Sequence, residues 1–263
     1  MRDAATTTTL THARPLIGLC SRPLGELPGQ GGSYGLAETY PSRIFEAGGV
    51  PVLLPYHECG PAAARELAQR MDGVLFTGGA DIDAASFDGR AYDSATHHPL
   101  GDTEPLRDSF ESALLDACWN LDVPCLGICR GLQMMNVSRG GTLVRDVCEQ
   151  EWCDTAPVES HMQGMPFSVP SHDVILEPES SLHRMLGVLE TRVNSMHHLA
   201  ISSVPLGGHV VARAEDGTPE AIDFPGHTFF MGVQWHPEIM ATQPQLFEAF
   251  IAAARERMEE RRG

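Results

Sequence analysis

Four short apolar runs, PLIGLC (15–20), VPVLLP (50–55), GVLFTGG (73–79) and PCLGIC (124–129), alternate along the first half of the chain with segments of helical spacing. This constrains the fold more than any other feature of the sequence. A run of five or six apolar residues reads as a strand buried on both faces, and a helix between two such strands returns the chain so that they pair in parallel. Helices are expected over 36–47, 61–72 and from 105 onward, and a helix should follow the fourth run directly. In the third helix Leu106, Phe110, Ala113, Leu114, Ala117, Cys118 and Leu121 recur at steps of three and four, one apolar face that includes Cys118. From 171 the texture changes to short strands separated by tight turns, SHDVILEP, TRVNSM, HVVARAEDG and FFMGVQWHP, and an amphipathic helix over about 243–258 closes the chain. The fold class expected is a three-layer α/β/α sandwich with a mainly parallel central sheet and antiparallel C-terminal strands. Residues 1–14, rich in threonine, are expected to be a disordered tail, and 15–263 a single domain.

The polar, unpatterned stretch 80–104 is long for an idle connection inside a compact domain, the kind of segment that is usually functional. A formal charge of −17 repels nucleic-acid backbones, so no nucleic-acid partner is expected. No apolar stretch reaches membrane-spanning length and the start does not resemble a signal peptide, so neither membrane association nor export is expected. The seven cysteines include no C-x-x-C pair, which fits a reducing cytoplasm and thiols that mostly act as small core hydrophobes. The pairs His97-His98 and His197-His198 have no third ligand at a recognisable spacing, and no metal is expected.

One cysteine differs from the rest. Gly127-Ile-Cys129-Arg-Gly131 places a thiol where a strand turns into a helix, in the form of a nucleophile elbow. The helix N-terminus favours a thiolate and supplies backbone N–H groups. A base is offered far downstream by GVQWHPE, in which His236 and Glu238 stand two residues apart, so that in extended geometry the carboxylate can fix the imidazole tautomer. Leu-Phe-Thr-Gly78-Gly79 ends another strand with unobstructed amides suited to an oxyanion, with the Arg130 amide as a second donor.

GICRGLQ, the TGG turn and the late GVQWHPE together resemble class I glutamine amidotransferase domains. HPLGDTEPLRDSFE and VNSMHHLAI bring the resemblance closer to the γ-glutamyl-γ-aminobutyrate hydrolase family of C26 peptidases, over about residues 15–255. That resemblance implies Cys129 as nucleophile, His236 as base and acid, Glu238 as the orienting carboxylate, and Gly78 or Gly79 with Arg130 as the oxyanion hole. It further implies Gln133, Asn194, Ser195, Met196, His197 and Arg107 as substrate-binding residues, with Leu199 standing where the family motif usually carries glutamine. The implied reaction is hydrolysis of a γ-glutamyl amide, derived from γ-aminobutyrate or from a polyamine, to glutamate and an amine, with no cofactor. Two alternatives remain at this level: a subunit supplying ammonia to a separate synthetase, and a non-catalytic binding protein on the same scaffold. The partner expected is a small-molecule γ-glutamyl amide, and a homodimer is left open.

Overall fold

The computed structural model describes residues 13–27, 31–58, 60–147, 161–240 and 242–262. The expected tail lies, but for residues 13 and 14, outside them, as do Cys59, Cys148 and Cys153.

In chain order the elements are β1 (Leu16–Cys20), β2 (Arg22–Leu27), β3 (Gly31–Gly35), α1 (Thr39–Glu46), β4 (Val50–Leu54), α2 (Pro61–Arg70), β5 (Gly73–Phe76), a 3-10 turn (Ala84–Phe87) and α3 (Pro105–Asn120). They continue with β6 (Cys125–Ile128), α4 (Arg130–Ser138), β7 (Thr142–Val144), β8 (His172–Leu176), α5 (Ser181–Leu186), β9 (Glu190–Val193), β10 (Ala200–Ser203), β11 (His209–Ala214), β12 (Pro219–Asp223), β13 (Phe230–Val233) and α6 (Pro244–Glu260). Nine strands form one sheet in the order β4-β1-β5-β6-β13-β12-β11-β8-β9. Pairing is parallel from β4 through β13 and antiparallel from β13 to β9. The expected α/β sandwich is therefore present. The hairpin of β2 and β3 and the small β7–β10 ladder were not legible beforehand.

The layers follow from the alternation of side chains along the strands. Leu75 of β5 and Leu126 and Ile128 of β6 face one core with Tyr40 and Ile44 of α1, Leu182 of α5 and Leu246, Phe247, Phe250 and Ile251 of α6. Val74 and Phe76 of β5 and Cys125 of β6 face the other, with Ala64 and Ala68 of α2, Phe110, Leu114 and Cys118 of α3 and Leu132 and Met135 of α4. Pro at the first turn starts α2, α3 and α6, where its missing N–H costs nothing. In α3 the buried face is not purely apolar as expected: Leu106 is 41% exposed, while Arg107, Asp108 and Glu111 are fully buried. Among the described residues no helix is long and apolar enough to cross a membrane.

β5, β6 and β13 are consecutive in the sheet, with Phe76 opposite Gly127 and Gly127 opposite Gly232. Their C-terminal ends therefore open side by side at one edge, the usual place for a site in an open parallel sheet. Residues 78–79, 129 and 236 meet there although more than 150 positions separate the first from the last.

Candidate active site

Cys129 caps the N-terminus of α4 with φ 54° and ψ −108°, a backbone conformation in the positive-φ region that L residues rarely adopt. Such strain costs on the order of 1–3 kcal/mol and persists only where the surroundings over-determine it. They do so here. The Cys129 N–H donates to Val233 O at 2.8 Å and its carbonyl accepts the Gln133 N–H at 3.2 Å. A Cβ on Gly127 would lie 2.7 Å from backbone atoms of Gly131 and Leu132, and one on Gly131 only 2.0 Å from Phe76 O. The two glycines thus let α4 start directly against β5 and β6. Gly131→Ala, which forces a methyl into rigid backbone, is expected to destabilise the fold by about 3 kcal/mol or more, measured by chemical denaturation.

His236 and Glu238 lie in a turn after β13 rather than in extended chain, closed by the Ile239 N–H donating to His236 O at 3.2 Å. The turn still brings His236 Nδ1 to 2.7 Å from Glu238 Oε1. Burial disfavours the imidazolium, but the neighbouring Glu238 and Cys129 outweigh it and raise the His236 pKa to about 10. Arg43 of α1 holds the turn from beneath, its Nε donating to Glu238 O at 3.2 Å and a terminal nitrogen to Met240 O at 3.1 Å. Neither Arg43 nor Tyr40 carried a signal in the sequence, because both reach the site through packing of α1.

The two glycine amides differ. Gly78 N–H donates to Tyr40 Oη at 3.1 Å, whereas that of Gly79 has no acceptor among the described residues. Below this loop lies a buried ionic network. Arg130 pairs with both Asp108 and Glu111, and Arg107 Nε donates to Glu111 Oε1 at 2.7 Å. Arg107 also donates to Thr77 O at 3.1 Å and Gly78 O at 3.2 Å, so it shapes the glycine turn from inside. This corrects the expectation that Arg107 grips substrate: it is fully buried and its donors are committed.

A cavity of about 210 Å³ opens beside Cys129 and is lined in part by Gly79, Asp81, Gln133, Met162, Met196 and His197. Gln133, Met196 and His197 are thus at the wall of this cavity. Asn194 and Ser195 are not, because both are fully buried. Asn194 Oδ1 accepts the His236 N–H at 2.8 Å while its Nδ2 donates to His236 O at 3.1 Å, which clasps the backbone of the histidine. Ser195 Oγ donates to His161 O at 2.9 Å. Leu199 also borders the cavity, and its carbonyl accepts from Gln133 Nε2 at 3.3 Å. The stretch 80–104 delivers Asp81 to the cavity wall, and the Asp81 carboxylate accepts the Gly101 N–H at 2.6 Å and pairs with His198 Nε2 at 3.2 Å. An acid two positions after the glycine turn was the available sequence signal for Asp81.

The chain as a whole has relatives. The model of the peptidase C26 family matches residues 15–238. A γ-glutamyl-γ-aminobutyrate hydrolase of Escherichia coli is 32% identical over 231 residues, covering 86% of this chain and 89% of that protein. A glutamine amidotransferase-like protein of Rickettsia prowazekii is 31% identical over 259 residues, covering 84% and 90%. The glutaminase domain of Trypanosoma brucei CTPS, solved with bound acivicin, superposes with a TM-score of 0.58 at 17% identity over 92% of this chain and 94% of that one, a likeness of fold alone.

Proposed function

The chain belongs to the peptidase C26 family, and on that premise we propose that it is a cysteine-dependent hydrolase that cleaves a γ-glutamyl amide to glutamate and an amine. The observation that carries the proposal is the convergence of the strained Cys129 elbow, the His236–Glu238 pair at 2.7 Å beside it and the uncommitted Gly79 amide, with Cys129 and Gly79 lining one cavity.

In this mechanism the Cys129 sulfur, its proton held by His236, attacks the amide carbon. The carbonyl π pair moves onto oxygen, where the N–H groups of Gly79 and Arg130 receive it. Collapse breaks the C–N bond as His236 returns its proton to the departing nitrogen, leaving a thioester on Cys129. Water then gives a proton to His236 and attacks the thioester, and expulsion of the thiolate releases the acid. No step needs a group beyond these side chains and water. Glu238 stabilises the imidazolium in both halves. The carboxylate of Asp81, at the cavity wall, suits the α-ammonium of a glutamyl group.

A panel of γ-glutamyl amides, including those of γ-aminobutyrate and of polyamines, assayed for free glutamate by mass spectrometry tests the proposal. The purified protein is expected to cleave amides bearing a substituted nitrogen at least as fast as glutamine. Cleavage of glutamine alone, and only after a second protein is added, would instead make it an ammonia-supplying subunit. No cleavage of any member would leave a binding protein.

A further inference from the structure

Away from the Cys129–His236 pair, four side chains from four separate segments converge on one point. His161 precedes the cavity-lining Met162, His172 begins β8, His197 lies between β9 and β10, and Glu220 is on β12. His161 Nδ1, His172 Nε2 and His197 Nε2 stand 3.4, 3.2 and 3.5 Å from a single oxygen, Glu220 Oε1. These separations are long for charge-assisted hydrogen bonds, which cluster at about 2.7–2.9 Å. Ligand atoms of three of the four, His161, His197 and Glu220, all lie within 4.8 Å of one another, near enough to share one ion, whereas His172 stands outside that mutual group.

The outer nitrogens agree with that arrangement. His161 Nε2 is 2.7 Å from Asp216 Oδ2, and His197 Nδ1 is 2.9 Å from Leu199 O. A ring nitrogen that donates outward leaves its partner nitrogen as a lone pair, and a carboxylate or carbonyl behind the imidazole is the usual outer support of a metal ligand. In that tautomer the inner nitrogens of His161 and His197 present lone pairs toward Glu220. Glu220 is fully buried, and among the described residues neither of its oxygens has a hydrogen-bond partner of ordinary geometry. A buried carboxylate left in that state is costly unless a cation shares the space.

We propose that His161, His197 and Glu220 form a site for a zinc-class divalent cation. Two imidazoles and one carboxylate suit such an ion, with Glu220 and Asp216 balancing its two charges. Such an ion would be held by residues of three separate segments. It would fasten the segment at 161–163 to the one at 195–197, which already touch through the His197 N–H to His161 O at 2.8 Å and the Gln163 N–H to Ser195 O at 3.1 Å. Both segments contribute to the cavity wall, through Met162, Met196 and His197. The site stands on its own geometry and does not depend on which amide the protein cleaves. It revises the expectation of no metal, which rested on sequence spacing.

The test is metal content and its effect on stability. Protein exposed to zinc sulfate and then dialysed should retain about one zinc per chain by plasma mass spectrometry. Stripping with dipicolinate should lower Tm, and zinc should restore it. Cobalt in place of zinc should give a visible absorption band, lost in Glu220→Gln. Asp216→Asn, which removes only the outer support of His161, should fold and bind zinc about 10- to 100-fold more weakly. It carries the test if Glu220→Gln fails to fold. Retention of less than about a tenth of an equivalent, with Tm unmoved by chelator and zinc, would overturn the proposal and leave a proton as the occupant. Zinc binding unchanged in both variants would overturn it as well, by placing the ion elsewhere.

Discussion

Cys129→Ala is expected to reduce kcat for γ-glutamyl amide hydrolysis on the order of 10⁴-fold or more, to what binding and the oxyanion donors sustain alone, while the fold is retained. The effect is large because among the described residues no second sulfur is placed to substitute: Cys20, Cys118 and Cys125 are buried in the core, and burial pushes the thiols of Cys20 and Cys125 well up. The fold should persist because alanine replaces one sulfur without altering the Gly127 and Gly131 contacts that hold the elbow. Circular dichroism and Tm report the second half of the expectation, and single-turnover kinetics the first. Iodoacetamide should modify Cys129 faster than Cys20 or Cys125, read by peptide mapping. A Cys129→Ala protein that turns over near the wild-type rate would remove the acyl-enzyme mechanism.

The second large effect is at His236. His236→Ala is expected to lower kcat on the order of 10²-fold or more, the ordinary contribution of a general acid–base group. Glu238→Gln should cost less, because it keeps a polar partner at Nδ1 and removes only the charge. The two losses should be non-additive, since both act through one imidazole. The pH profile separates a catalytic from a merely structural role for the carboxylate. Glu238 and Cys129, against the effect of burial, raise the His236 pKa from its usual value near 6.5 to about 10. The imidazolium is thus favoured by the fold, a contribution to stability that is full below about pH 6.5 and lost as pH rises through about 10. In Glu238→Gln one of the two supporting charges is gone, so the alkaline limb of kcat/KM should move to lower pH. Additive losses with an unmoved limb would reduce the machinery to a Cys129–His236 dyad.

Much of the candidate site was legible because its decisive parts are local. Gly127-Ile-Cys129-Arg-Gly131 states in five residues that a strand must turn into a helix with no room for a side chain on either flank, and the contacts at Phe76 O and Gly131 show why. His236 and Glu238 were paired correctly for a partly different reason, since a turn rather than an extended chain brings them together. Supporting residues were harder. Asn194 and Arg107 look from the sequence like groups that meet a charged substrate, yet each spends its side chain on protein backbone, Asn194 on His236 and Arg107 on Thr77 and Gly78. Polar residue type reports that a partner exists; it does not report which one.

By itself the sequence determined the parallel α/β units, their helices, the cysteine elbow and the family, because hydrophobic period and turn chemistry are set within a few residues of each position. Tertiary structure alone decided the strand order that sets β13 beside β6 and so brings His236 to Cys129. It alone committed the Gly78 amide to Tyr40 and left that of Gly79 uncommitted. It alone gathered His161, His172, His197 and Glu220, spread over some sixty positions without a recognisable spacing, around one buried oxygen. Such convergence depends on how distant segments pack and which groups lose water together, and neither quantity is a property of any short stretch of chain.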